Sequence, residues 1–470
     1  MALSSRGALH AALAVARRRT LGLLDPLSDA DQRAQVSPLM SPPVWDLAHV
    51  GSYEELWLLR NLDGRAAIDP SLDDLYDAFE HPRSTRPSLP LLGPVEARDY
   101  LARVREDVEA LLDRVDLDDA SDRLRHRGHV YGMVIQHEHQ HAETLLATLQ
   151  LGGRAAELPA GIVPAPPAVR PTWPDEVRVA GGDVVIGTDL DPWAYDNEQP
   201  AHAVALAPFW LDTTPVTNGA YGAFIAAGGY HDRRWWTDDG WSWRCEEGAE
   251  APLFWRRSTG GWERLRFGEW AEVDPAEPVQ HVCWYEADAY ARWTGRRLPT
   301  EHEWEIAATW DGEAAAKRRW PWGDDAAGPT RANLGQRHAG PAPVGSYPAG
   351  AAPCGALGLI GDVWEWTSSD FTAWPGTEAF PYREYSEIFY GAPPGHAGYK
   401  VLRGGSWATH ALAARGTFRN WDHPVRRQIF AGFRTARRRA GVTLRSRQGA
   451  PAAPGPAGSA KPARRRAGES

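Results

Sequence analysis

Residues 158–174 read LPAGIVPAPPAVRPTWP, six prolines in a run with neither a helical nor a strand period. Such a stretch reads as an extended linker. Composition changes across it: of the 23 Trp in this 470-residue chain, only Trp45 and Trp57 precede residue 170, and the other 21 lie from Trp173 to Trp421. The linker therefore divides a first unit, residues 1–157, from a second, residues 175–440. The Pro-, Ala-, Gly- and Arg-rich segment 441–470 is predicted to be a disordered basic tail.

Working back from the linker, apolar spacing and breakers predict four helices: Ser5–Leu24, a second opening at Ser41 with Pro42 and Pro43 and running to Leu62, Val95–Val115, and Ser121–Leu151 closed by Gly152 and Gly153. Four helices with one long connection, Gly64–Leu92, make a bundle, and bundle interiors are common places for metal sites. The apolar run Ala8–Ala16 has the length of a secretory core, but Arg17, Arg18 and Arg19 follow it instead of preceding it, so it reads as a surface helix. Forward from the linker, the strand-like runs VRVAGGDVVIG and HAVALAPFWLD alternate with Gly, Pro and Asp, and helices are readable at Asn218–Ala227 and Val282–Thr294. This is an α+β domain with many loops held by side-chain packing, and without a 20–50-residue internal period it is neither propeller nor solenoid.

A chain that is 43% hydrophobic can bury a sizeable core, while a formal charge of −10 offers no general basic surface for nucleic acid or anionic lipid. No stretch approaches the roughly 18 apolar residues that a membrane span needs. Three Cys cannot form a disulfide framework in so long a chain, which points to the cytoplasm. Cys245, Cys283 and Cys354 have no CxxC spacing and read as small buried hydrophobes.

The sharpest local signal is His137-Glu138-His139-Gln140-His141-Ala142-Glu143 in the fourth helix. At about 100° per residue, His137 and His141 lie only about 40° apart and can reach one metal from adjacent turns, whereas His139 points about 200° away from His137. Gln140, about 60° to the other side of His137, flanks the same pocket. Glu143 is turned away, which suits an outer role. A third ligand must come from elsewhere in the bundle, and His49 is the candidate because it sits mid-helix among apolar residues, where an unpaired imidazole is costly. Three neutral imidazoles suit Fe(II), Zn or Ni, and spacing does not choose among them. Arg83 and Arg86 lie in the long connection, where two guanidiniums can clamp carboxylates. Tyr382 and Tyr385 offer phenols as acids, and Asn420, Trp421 and Asp422 group amide, indole and carboxylate in a turn-like stretch.

Three segments, Gly361-Asp362-Val363-Trp364-Glu365-Trp366, Leu402-Arg403-Gly404-Gly405-Ser406-Trp407 and Ala431-Gly432-Phe433-Arg434, resemble the signature of the formylglycine-generating-enzyme fold, a C-type-lectin-like domain, and RLPTEHEWE at 297–305 matches its central motif. The segment after Trp407, ATHALAARGTFRN, has no Cys where those enzymes carry catalytic thiols, so their chemistry is not expected. Joined to a DinB-like four-helix bundle with His-x3-His-x-Glu, the whole chain except its tail resembles the iron(II)-dependent sulfoxide synthases of ergothioneine biosynthesis.

That resemblance implies an Fe(II) site at His49, His137 and His141, with O2 as co-substrate. It implies a non-haem oxygenase that joins hercynine to γ-glutamylcysteine or cysteine. Gln140, Asn420 and Trp421 match positions beside hercynine, Arg83, Arg86 and Asp422 match positions that hold the thiol substrate, and Tyr382 and Tyr385 match the active-site tyrosines. Parts of the lectin-like family also carry structural Ca2+, which would fall around Asn333 and Asp362–Glu365. Relatives use the same two domains for ovothiol or selenoneine synthesis, and no methyltransferase signature follows the second domain here. Two rivals from other classes are a zinc- or nickel-dependent thiol transferase of the DinB type and a lectin-like binding module. In this reading most of the Trp excess is architectural and Trp421 is the functional exception.

Overall fold

Ser5 accepts the amide of Ala8 and so caps the first helix, α1 (Arg6–Leu24). The computed structural model describes residues 5–154, 173–391 and 398–438; the linker, apart from Trp173 and Pro174, and the tail 441–470 lie outside them. α1 lies at the surface as expected, with Arg6, Gly7, Ala11, Val15 and Arg18 exposed, but not all of its charges are solvated. Leu9, Leu13, Ala16, Leu23 and Leu24 are buried, and even Arg17 and Arg19 turn inward, because carboxylate and carbonyl acceptors meet their guanidiniums.

A short α2 (Asp29–Arg33) leads to α3 (Pro43–Glu54), which opens on Pro43 and continues without a break into a π-helical stretch, Glu55–Leu62. Next come α4 (Pro94–Leu112) and α5 (His129–Leu151). α5 starts at His129 and not at Ser121, because Asp119 and Asp122 capture the amides of Ser121 and Leu124 in local turns, and Gly128, at φ 68°, breaks the helical path. The connection between α3 and α4 carries only 3₁₀ turns, at Pro70–Leu72 and Arg83–Ser88.

In the second half each strand-like run splits in two, giving β1 (Glu176–Val179) and β2 (Gly182–Ile186), then β3 (His202–Leu206) and β4 (Phe209–Asp212). β1 pairs antiparallel with β4, Glu176 opposite Asp212, and β2 with β3, Gly182 opposite Leu206. After α6 (Asn218–Ala226) and α7 (Asp238–Glu247), the strands β5 (Trp255–Ser258), β6 (Gly261–Arg266) and β7 (Glu269–Glu272) form a meander. α8 (Trp284–Trp293) and α9 (Glu301–Thr309) precede the short pair β8 (Trp310–Asp311) and β9 (Ala316–Lys317). The central sheet takes β10 (Trp364–Asp370), β11 (Lys400–Arg403), β12 (Asn420–Asp422) and β13 (Ala431–Gly432) in the order β12-β11-β10-β13, and β14 (Ala436–Arg437) joins β4.

Asn420–Asp422 therefore lies in a strand opposite Lys400–Leu402, not in the turn-like stretch expected. Helices α7 and α9 were not predicted, although Thr237 caps the first and Thr300 with Glu303 forms a capping box on the second. Cys245 is exposed, unlike the buried Cys283, since it sits on the outer side of α7.

Residues up to Arg438 make one compact unit, and α5 explains why. Gln136 accepts from Arg415 at 2.6 Å, Glu143 accepts from Trp364 at 2.9 Å, Ser406 at 2.6 Å and Thr409 at 2.7 Å, and Gln150 accepts from the Phe267 amide at 2.7 Å. Seven residues are almost two helical turns, so these three side chains form one row along the face of α5 that meets the second domain. No described helix is long and apolar enough to cross a membrane.

Candidate metal centre and substrate cavity

His49 comes from α3, and His137 and His141 come from adjacent turns of α5. One ring nitrogen of each lies within 4.8 Å of the others, the one such metal-ready group among the described residues. The His49 Nδ1–H donates to the Tyr76 carbonyl at 2.7 Å, and the His141 Nδ1–H donates to Asp46 Oδ1 at 3.0 Å. Both bonds fix the tautomer, leaving Nε2 with its lone pair for a metal. Burial pushes His49 and His137 well below the ordinary imidazole pKa, with the neighbouring imidazoles adding to it, so both rings are neutral donors. Trp45 stacks on His49 at 4.6 Å between centroids and Tyr53 on His137 at 3.8 Å, which restrains both rings. Three imidazoles held in this way, two by stacked rings and the third by a carboxylate, fit a divalent first-row ion.

The triad opens into a cavity of about 810 Å3 between the bundle and the second domain, lined among others by Gln140, Tyr195, Tyr382, Tyr385, Asn420 and Trp421. Tyr382 stacks on Trp57 at 5.0 Å, and Tyr385 meets Tyr195 edge to face at 4.8 Å. Burial pushes both Tyr382 and Tyr385 phenols above their usual pKa, so each carries its proton at neutral pH. Tyr195 reaches Gln140 Oε1 at 3.4 Å. Trp421 stacks on Phe371 at 4.1 Å, which fixes its indole at the cavity wall.

A side lobe of about 220 Å3 shares Gln140, Asn420 and Trp421 with the main cavity and adds Arg83, Glu143, Asp422 and Gln428. Arg426 pairs with Asp422 at 3.3 Å. Arg86 departs from the expected clamp. It is 5% exposed, donates to Ser41 Oγ at 2.6 Å and to the His81 and Ala78 carbonyls, and lies 3.5 Å from the centroid of Trp45. Because the buried guanidinium spends its donors on its own loop and on the indole behind His49, only Arg83 of the pair lines the lobe.

His139 points away from the triad, as the helical angles require, and stacks on His410 at 3.8 Å. In the loops considered for Ca2+, protein donors meet the carboxylates, while Asn333 Oδ1 stays buried without a donor. Asp362 Oδ1 accepts from Asn333 at 2.8 Å and from the Ala342 amide at 2.8 Å, and Glu365 is taken by Arg434 and Trp304.

Several site residues escaped the sequence reading: Asp46, Tyr53 and Trp57 on the His49 helix, Tyr195 and Arg426. Asp46 and Tyr53 stand three before and four after His49, so helical spacing carried a signal for both. Trp57 lines the cavity together with Trp421, and the fully buried Trp45 packs behind His49.

Residues 12–145 match the DinB superfamily model, and residues 163–439 match the sulfatase-modifying factor enzyme 1-like domain. The chain is 49% identical over 442 residues to a hercynine oxygenase of Mycolicibacterium thermoresistibile, covering 93% of this chain and 96% of that protein. It is 48% identical to a hercynine oxygenase of Mycolicibacterium smegmatis, covering 92% and 99% respectively. A formylglycine-generating enzyme of Streptomyces coelicolor is 33% identical but aligns with only 54% of this chain. On identity and coverage along both domains, the chain belongs to the hercynine oxygenase family.

Proposed function

We propose that this protein joins the imidazole C2 of hercynine to the sulfur of γ-glutamylcysteine or cysteine and oxidises that sulfur to a sulfoxide, a step of ergothioneine biosynthesis. The balance is simple. The C2–H and S–H bonds are lost, C–S and S–O bonds form, and O2 accepts four electrons, leaving one oxygen in the sulfoxide and one in water. The observation that carries this reading is the His49–His137–His141 triad facing a cavity walled by neutral phenols.

Fe(II), when bound by the three histidines, supplies one-electron redox chemistry and open coordination positions. The remaining work falls to the chain. Tyr382 holds a proton for transfer at the cavity wall, with Tyr385 as its neighbour. Trp421 and Asn420 offer a π face and an oriented dipole to a trimethylammonium group, which cannot donate a hydrogen bond, and Gln140 flanks the imidazole. Arg83, Asp422 and Arg426 pair with the charged ends of the thiol substrate, while Arg86 acts from behind by holding its loop and Trp45. Free thiols at Cys245, Cys283 and Cys354 support a cytoplasmic setting.

The deciding assay gives purified protein Fe(II), hercynine and O2 with γ-glutamylcysteine or cysteine in parallel, following O2 consumption and product mass. A product heavier than the joined substrates by one oxygen is expected. Turnover that persists with zinc and without O2 would instead establish a thiol transferase.

A further inference from the structure

Beside the metal centre lies a second built feature to which the reaction assigns no role. Arg17 of α1, Glu54 of α3, Arg105 of α4 and Glu138 of α5 form a closed knot of two cations and two anions. Arg17 donates to Glu138 at 2.8 Å and to Glu54 at 2.6 Å, and Arg105 donates to Glu54 at 2.6 and 3.0 Å and to Glu138 at 3.2 Å. Glu54 and Glu138 are at most 1% exposed, and both arginines are 8% exposed. The forks also grip backbone: Arg17 reaches the Leu101 carbonyl at 3.2 Å and Arg105 the Leu13 carbonyl at 2.7 Å.

Neither glutamate belongs to the triad. At about 100° per residue, Glu138 is turned about 100° from His137, and Glu54 about 140° from His49. Each nevertheless sits on a ligand-bearing helix, Glu138 directly after a ligand. Sliding or rotating α3 against α5 would break charge-assisted bonds in a site that water does not reach. Buried ion pairs of this kind add little net stability, since desolvation offsets attraction, and a buried polar group can instead fix helix register, as in coiled coils. A leucine interface tolerates a small slip, whereas a fork of fixed N–H directions does not.

We propose that the Arg17–Glu54–Arg105–Glu138 knot is a positioning device that sets the register of α3 against α5 and thereby the affinity and geometry of the three-histidine metal site. The inference rests on His49, His137 and His141 being the metal ligands, and on nothing about the substrates.

The test measures cobalt(II) binding to the full chain under anaerobic conditions, without substrates, by titration calorimetry and visible absorption, with thermal unfolding alongside. Two variants are compared with wild type: an apolar replacement (Arg17→Met, Glu54→Leu, Arg105→Met, Glu138→Leu) and a charge-keeping one (Arg17→Lys, Arg105→Lys). The apolar variant is expected to fold with an unfolding temperature near or above wild type, yet to bind cobalt about tenfold or more weakly with displaced absorption bands. The lysine variant keeps the charges but loses the forks, and the same weakening is expected of it. If the apolar chain does not fold, the lysine variant decides alone. Native affinity and native bands in either folded variant would overturn the proposal. Wild type that fails to bind cobalt stoichiometrically would instead overturn the triad assignment on which it rests.

Discussion

In the bundle, His137 and His141 reach one point because they sit one turn apart on α5, with His49 supplied by the adjacent α3. In the second domain, loops approach the same cavity without continuous ladders, and buried Arg–carboxylate forks hold them: Arg415 to Glu198, Arg419 to Glu301, and Arg434 to Glu365, partners 217, 118 and 69 residues apart. The contrast teaches that a helix fixes side-chain geometry through its own repeat. An irregular domain must import that precision from pairs far apart in sequence. The Trp-rich composition of the second domain belongs with those pairs: Trp193, Trp304, Trp366 and Trp407 are among its largest fully buried side chains.

The contrast has measurable consequences. Removing a ligand from the helix-built half should have the largest effect. His141→Ala is expected to lower metal retention and O2-dependent turnover by more than the roughly 10–100-fold that loss of an outer partner causes, as read by metal analysis and an oxygen electrode. Unchanged metal content would place the centre elsewhere.

In the loop-built half, Glu198→Ala takes from Arg415, at 1% side-chain exposure, the carboxylate that balances its charge. It should destabilise the fold by about 3–5 kcal/mol in denaturant titration, and replacing both partners by Leu and Met should recover most of that loss. A single-variant loss under about 1 kcal/mol would mean that the forks do not hold the loops.

Asp46→Ala is expected to weaken metal binding about 10–100-fold, because His141 loses the acceptor that orients its ring. Calorimetry on the folded variant checks this, and native affinity would make Asp46 dispensable.

The last effect concerns pH and Asp362, whose carboxyl is pushed up to about 7, first by burial and then by Glu277 and Glu365. The folded form keeps the proton up to about pH 7, whereas the unfolded form releases it near 4. The native state therefore binds more protons in between, and stability falls as pH rises through that window, by at most about 1.4 kcal/mol per pH unit, then levels off. Asp362→Asn keeps an acceptor for Asn333 and Ala342 and tolerates the backbone φ of 62°. Its stability should lack that slope, and an unchanged slope would assign the titration to another group.

How much of this was legible in the chain varies by element. The His137–His141 pair on α5, the turn of His139 away from that pair and the helix carrying His49 follow from a 3.6-residue repeat, and the two-domain character follows from motifs and composition. The inward turn of Arg17 and Arg19 was not legible, because charges after an apolar run look like a solvated end until a partner on another helix is known. Nor was the difference between Arg83 and Arg86. Three residues apart in one loop, they look alike in sequence, and only the position of Trp45, Ser41 and the Ala78 and His81 carbonyls makes one a support and leaves the other at the side lobe.

The sequence by itself determined the fold classes of both halves and set His137 and His141 one turn apart on a single helix, since local periodicity and motif spacing act over a few residues. The tertiary structure alone decided that α5 carries three working faces at once: the two triad histidines on one, the Glu138 knot on another, and the row of Gln136, Glu143 and Gln150 on a third. Those faces acquire meaning only through partners on other helices or in the second domain, and nothing local in the chain encodes which distant side chain will complete a hydrogen bond.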